Sequence, residues 1–369
     1  MALNYVHSDF PEFENSTQEF WVNFGNGVIP LANISYLVNI VLSICGVFIN
    51  IFHCAVLLRK SMINNVINVI LLGISVCDIV NLVGLANYCI DLRAGSDGYH
   101  ECAPPQSYLS TFLSYHLRVL QDDTRRVSSW LGVLMATLRY LILRNALDAR
   151  YNFLSEPKIA WRCILVALVI STAMSSIWIV CIEMVHYDTW FPLEKCGFPI
   201  NHSQPYYGYF YNEWFKNHLE VVSTFMKTDG SMKVVFAAFL PVLTVLLIGE
   251  LRKAKKAQDK VFTSSANNPN KTDYTTKLVI IMTILNFLAE APVGAGFIVE
   301  GIVSFNDKLG TIIKNLESIA SVFLTWNATT HCFLCLAIST PYLNAVKELL
   351  GYNKKPRTPI SVTSRTSGR

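Results

Sequence analysis

Seven apolar stretches of membrane-crossing length organise this chain. They lie at Ile34–Leu58, Val66–Ile90, Val127–Leu143, Ile159–Ile182, Val234–Leu251, Leu278–Val303 and Ile312–Ile338. A bilayer core about 30 Å thick takes ~20 apolar residues as a helix. In lipid every backbone N–H and C=O must be bonded within a helix or a closed barrel. Barrel strands would be about half as long, with alternating polarity, so these stretches predict helices. The composition agrees, with 15% of residues charged against about 25% in average soluble domains. The predicted fold is an all-α membrane protein, a seven-transmembrane helix bundle over residues 34–340. An N-terminal segment (1–33) precedes it, and a short amphipathic helix (341–351) and a tail (352–369) follow.

The distribution of charge predicts the orientation. Residues 1–33 carry Asp9, Glu12, Glu14 and Glu19 and no Lys or Arg. Basic residues gather after the first span (Arg59, Lys60), before the fourth (Arg144, Arg150, Lys158), before the sixth (Arg252, Lys253, Lys255, Lys256) and in the tail. Positive charge near span ends stays cytoplasmic. The N-terminus is therefore expected outside, the C-terminus inside, and the chain at the plasma membrane. The first thirty residues lack the basic start, short apolar core and small-residue cleavage site of a signal peptide. The tail is Pro-, Ser-, Thr- and basic-rich without apolar periodicity, which predicts disorder. Its Thr358, Ser361, Thr363, Ser364, Thr366 and Ser367 make it a candidate phosphorylation platform that arrestin could read.

Two of the ten cysteines, Cys102 and Cys196, fall in polar segments predicted to face the oxidising side, where a disulfide can persist. Their pairing would tie the top of the third helix to the long loop between the fourth and fifth; Cys89 is the competing partner. Asn15-Ser16-Thr17 and Asn201-His202-Ser203 are acceptor sequons on the same side.

Polar residues within spans are costly in lipid, so they face a packed interior or a cavity. Asn50, Asp78, Asn327, Thr329, Thr330 and His331 sit mid-span. Inter-helix hydrogen bonding accounts for amides and hydroxyls, whereas the carboxylate of Asp78 needs a cation, a proton or several donors. Before Val127 the third helix carries His116, Arg118, Asp122, Asp123, Arg125 and Arg126. Asp122 and Arg126 are four apart and are expected to meet on one face. Such a stretch is either a solvated helix end or the wall of a water-filled pocket, and we read a pocket. Glu290 lies two residues before Pro292, whose ring kinks the sixth helix, and it is expected to face the same cavity.

Five segments carry a resemblance to a known family. They are Asn64-Asn65-Val66-Ile67-Asn68-Val69-Ile70-Leu71-Leu72-Gly73-Ile74 leading to Asp78, Ser129-Trp130-Leu131-Gly132-Val133-Leu134-Met135 leading to Arg139, Leu240-Pro241-Val242-Leu243-Thr244, Glu250-Leu251-Arg252-Lys253-Ala254, and Asn327-Ala328-Thr329-Thr330-His331-Cys332. Over nearly its whole length the chain resembles rhodopsin-like G protein-coupled receptors. Among them it looks like the nematode serpentine receptor class W chemoreceptors, themselves similar to FMRFamide-type neuropeptide receptors. The resemblance implies a polar pair at Asn50 and Asp78, and a sodium-site-like cluster completed by Ser128 and Asn327, with His331 nearby. It implies G protein coupling at Arg139 and Tyr140, and a membrane-facing aromatic at Tyr342. Three departures stand out. Leu138 replaces the acid beside the coupling arginine. Glu290 replaces a tryptophan, and His331-Cys332-Phe333-Leu334-Cys335 replaces Asn-Pro-x-x-Tyr.

The expected function is therefore reception of an extracellular neuropeptide or chemosensory small molecule, with Asp122, Arg125, Arg126 and Glu290 as ligand-contacting residues. The expected partners are a heterotrimeric G protein, arrestin and the lipid bilayer. No Ser-His-Asp set, phosphate loop or metal-ligand cluster lies outside the spans, so neither an enzyme, a cofactor, a metal nor a nucleic-acid partner is expected. The alternative is an ion or solute transporter using the intramembrane acids, although no internal repeat of the transporter kind is found.

Overall fold

The structure is a computed structural model that describes residues 5–96, 102, 104–145, 148–199, 202–261, 269–303 and 307–352. Among these, seven helices are long and apolar enough to cross a membrane. They are α1 (Asn15–Leu57), α2 (Val66–Ser96), α3 (Tyr108–Arg144), α4 (Pro157–Cys181), α5 (Leu219–Val261), α6 (Pro269–Ile302) and α7 (Asp307–Ile338), and a short α8 (Thr340–Leu349) follows. The chain is a multi-pass membrane protein.

Three helices start well before the apolar stretches that predict them. α1 begins at Asn15 rather than near Ile34, so half of the expected N-terminal segment is helix. At 1.5 Å per residue its 43 residues run roughly 65 Å, far more than a bilayer core. α3 and α5 likewise extend back to Tyr108 and Leu219. The reason is that charged turns can stay helical when tertiary partners take up their charge, and in α3 and α5 those partners are each other, as described below.

Local chemistry sets several helix ends. The Ser107 hydroxyl accepts from the Ser110 N–H and starts α3. Pro157 occupies the first turn of α4, where its missing N–H costs nothing. Ser339 caps α8 by accepting from the Tyr342 N–H.

Helix α3 runs through the bundle against α2, α4 and α5, while α1 packs on α2 and α7, and α6 on α5 and α7. One apolar core joins α2, α3 and α4 through Val66, Ile70, Leu131, Leu138 and Ile164. On the other side of the bundle α5 and α6 approach at backbone contact. A Cβ on Gly230 would lie 2.6 Å from the Gly294 carbonyl oxygen, so only glycine fits there.

Between α4 and α5 the chain forms an antiparallel hairpin, β1 (Ile182–Trp190) with β2 (Gln204–Tyr211), paired from Ile182–Tyr211 to Trp190–Gln204. The sequence reading treats this stretch only as a polar loop. Its tyrosines pack across the strands, as Tyr187 does on Tyr206 and Phe210, a cross-strand stabilisation that needs no apolar alternation. A disulfide joins Cys102 to Cys196, with Cα atoms 5.2 Å apart, while Cys89 is a buried free thiol.

At the hairpin end, Tyr5 and Phe10 bury against Leu309 and Ile312 of α7. Asp9 accepts from the Val6 N–H at 3.0 Å and lies 3.3 Å from Lys308 Nζ. These contacts, the Val6 N–H foremost, hold the Asp9 carboxyl below its usual range against a smaller desolvation cost.

Candidate functional site

The charged residues of α3 divide between two faces. One face looks into a cavity of about 40 Å3 enclosed by α2, α3, α6 and α7. Arg118, Gln121, Asp122 and Arg125 line it from α3, and Glu317 and Lys314 from α7. The Arg118 guanidinium carbon lies over the Tyr88 ring of α2, 3.5 Å from its centroid. Lys314 turns out to Glu300 at 3.5 Å. Several buried polar atoms here have no hydrogen-bond partner among the described residues: Arg118 Nη1, Gln121 Oε1, Arg125 Nε and Nη2, and Glu317 Oε1. In most proteins such groups are paired, which sets this cluster apart from the rest of the interior.

The opposite face of α3 forms a closed network. Arg126 donates from Nε to Asp229 Oδ1 at 2.7 Å, and from Nη1 to the Ser175 hydroxyl at 2.9 Å and to Ser171 Oγ at 3.1 Å. Asp123 accepts from Thr172 at 3.0 Å and from Ser175 at 3.3 Å. Lys233, one turn along α5 from Asp229, completes the set with an ion pair to Asp229 at 2.5 Å. All four charged residues are buried, and they balance one another as two acids and two bases. This staples α3 to α4 and α5.

The arrangement corrects one expectation. Arg126 does not meet Asp122 and does not line the cavity; it turns to Asp229 and the α4 serines. The i, i+4 rule is local, and a buried carboxylate on a neighbouring helix offered a shorter, charge-assisted bond. Asp122 and Arg125 do line the cavity. Glu290 sits beneath it, accepting from the Ser129 hydroxyl at 2.7 Å and facing Arg125 Nε at 3.9 Å.

Deeper in the bundle, Ser128 donates to Asp78 Oδ1 at 2.9 Å. The rest of the sodium-site-like set is spread out. Asn50 donates to the carbonyls of Gly46 and Ala328. Asn327 donates to Asn286 of α6 at 3.1 Å. His331 is half-buried one turn further along α7. These amides bridge helices and do not converge on Asp78.

At the end opposite the hairpin, Leu138 is buried in the apolar core beside half-buried Arg139. Tyr140 accepts from Arg144 at 2.7 Å. Tyr342 does not face the membrane as expected. It is buried, and its hydroxyl lies 2.5 Å from His53 Nδ1 of α1. A histidine inside the bundle offers the phenol a partner that lipid cannot.

A family-profile match over most of the chain decides the family. The sequence profile described as "Serpentine type 7TM GPCR chemoreceptor Srw" matches residues 37–353. The chain belongs to that family. A comparison with curated proteins gives no match. As a member of the Srw chemoreceptors the chain is a seven-transmembrane receptor, and its polar atoms must be read in that light.

Sequence reasoning missed four contributors to this interior: Asp229 and Lys233 of α5, Glu317 of α7 and Tyr88 of α2. Asp229 and Lys233 do carry a signal, since an acid and a base four apart on a helix support each other. They were passed over because they precede the apolar run that starts at Val234. The α4 residues Ser171, Thr172 and Ser175 repeat at helical spacing within an apolar span, which also marks an inward polar face.

Proposed function

We propose that this Srw receptor sits in the plasma membrane with its N-terminus and hairpin outside, binds an extracellular ligand in the α2–α3–α6–α7 cavity, and activates a heterotrimeric G protein. The observation that carries the reading is the cluster of unpartnered buried polar atoms around that cavity. Asp122 and Arg125 contact the ligand, and Glu290 beneath them senses it through Arg125. A ligand shifts the balance of two helix packings only by its differential affinity for them. Arg125 and Glu290 offer that difference, because their separation of 3.9 Å is too long for a hydrogen bond and can close or open.

At the other face, Arg139 and Tyr140 receive the G protein α-subunit, and the basic loop between α5 and α6 assists. Phosphorylated, the tail from residue 353, which lies outside the described residues, recruits arrestin. Asn15 is exposed at the start of α1 and carries a glycan; Asn201, the second sequon, lies outside the described residues.

Purified protein in lipid nanodiscs, mixed with a heterotrimeric G protein, should raise guanine-nucleotide exchange above that of empty nanodiscs. Flux of ions through protein-containing liposomes, with no exchange on any G protein class, would overturn the receptor reading in favour of a transporter.

A further inference from the structure

The cavity between α3 and α7 has a chemistry more specific than polar. Its unmet atoms fall into two kinds. Donors come from α3: Arg118 Nη1 and Arg125 Nη2, both N–H groups of guanidinium forks. Acceptors come from Gln121 Oε1 and, across the cavity, Glu317 Oε1. Neither Arg118 nor Glu317 forms an ion pair among the described residues, although both line the same space.

We infer that the cavity receives a small carboxylate end-group with an adjacent N–H donor, as carried by a free amino acid or by the carboxyl end of a peptide. This deepens, and rests on, the receptor reading of the cavity given above.

Four observations support it. Arg125 is only 8% exposed, and its ion-pair partner among the described residues is Glu290, at 3.9 Å. Its outer N–H is thus buried, charged and unmet, a state that is costly until an anion arrives. A guanidinium fork matches a carboxylate with two parallel bonds, and Arg118 is already held over the Tyr88 ring, which limits the freedom lost on binding. On the far wall the Glu317 carboxyl packs against the bare Cα of Gly296, where any Cβ would stand 2.6 Å from Oε1. This carboxyl and the Gln121 carbonyl can accept from an ammonium or an amide N–H. The volume, about 40 Å3, suits an end-group and excludes a bulky ring system, which needs hundreds of Å3.

The test uses the full-length receptor in nanodiscs, with binding followed by thermal stabilisation and by ligand-observed NMR. The probes are a pool of the common L-amino acids, a pool of mixed dipeptides, and both pools as C-terminal amides. At least one acid pool should bind saturably, and its amide counterpart should bind at least tenfold more weakly. The two acid pools separate a free amino acid from a peptide end as the source. Arg118→Gln and Glu317→Gln should each weaken the binding pool at least tenfold; if Arg118→Gln does not fold, Arg118→Lys, which keeps the charge and loses the fork, replaces it.

Saturable binding that is equal for acids and amides overturns the inference, as does unchanged affinity in the folded variants. The same holds if no pool binds, in which case the cavity holds water alone. Those outcomes leave the receptor reading intact provided the nanodiscs still drive nucleotide exchange. Carboxylate-dependent binding with no exchange on any G protein would support the site and remove the receptor reading.

Discussion

Arg126 of α3 and Asp229 of α5 are joined by a 2.7 Å charge-assisted bond between residues 103 apart in sequence. Both are almost wholly buried. Asp229 also holds Lys233, so one carboxylate neutralises two cations within the bundle. Removing it leaves Lys233 without its carboxylate and Arg126 with only Asp123, 3.9 Å away, and the α4 serines; breaking a buried ion pair by deleting one partner costs about 3–5 kcal/mol. Asp229→Ala should therefore lower the thermal unfolding temperature in detergent sharply. Lys233→Met should cost much less, because Asp229 keeps Arg126 as its partner and an unbranched side chain can take the lysine's place. Equal losses in the two variants would show that the network does not carry this energy.

A second weak point is the crossing of α5 and α6. The Cβ of an alanine at Gly230 would stand 2.6 Å from the Gly294 carbonyl oxygen and 2.8 Å from the Ile298 nitrogen. Both are backbone atoms of a packed helix and cannot swing aside, so the helices must separate. Gly230→Ala is expected to cost about 1–3 kcal/mol. Gly132→Ala is the control. It meets nothing within 4 Å, and alanine favours a helix by up to about 1 kcal/mol over glycine. The checking measurement is the change in unfolding temperature of the two variants side by side, which should have opposite signs.

How far the interior was legible in the sequence follows from these particulars. The seven crossings were legible because lipid demands long apolar runs, and that signal needs no partner. Asp78 and Glu290 were legible as inward-facing because a charge within a span has few other places to go. Pairings were not. The spacing of Asp122 and Arg126 predicted a local contact, and the structure replaced it with Asp229 from another helix. Spacing reports which residues share a face; it says nothing about which helix lies opposite. The charged turn of α5 was hidden for a related reason: Asp229 and Lys233 read as exposed until α3 is placed against them. The membrane-facing place of Tyr342 came from the resemblance alone, and nothing local in the sequence reveals that His53 waits behind it.

That pair supports a third prediction. The Tyr342 hydroxyl bonds His53 Nδ1 at 2.5 Å and approaches Cys332 Sγ at 3.5 Å, and His53 Nε2 has no other partner among the described residues. Tyr342→Phe keeps the ring and strips the imidazole of its bond, a loss of about 1–3 kcal/mol. Because α8 is held to α1 and α7 through this cluster, the variant should also loosen α8. Maleimide labelling located by peptide mapping should then rise at Cys332, which is buried in the native chain. Unchanged labelling at Cys332 would mean that apolar packing alone holds α8.

The last prediction concerns Arg139. Its neighbour Leu138 is 4% exposed and packed in the apolar core of α2, α3 and α4, so no carboxylate stands beside the arginine in sequence. No ion pair to Arg139 occurs among the described residues. A guanidinium at a span end can serve simply as an anchor, its stem in the lipid and its head at the interface. If it also receives the G protein, it does so without an adjacent acid to restrain it, and resting activity should be high for a receptor of this kind. Arg139→Ala should then lower both basal and ligand-driven nucleotide exchange while surface level and ligand affinity stay near native values. Arg139→Lys should recover little, because an ammonium preserves the anchor's charge and lacks the planar fork that a protein carbonyl cluster reads. The comparison separates the roles. An anchor would tolerate lysine and lose surface expression with alanine, whereas a coupling residue would reach the surface in both variants and signal poorly in both.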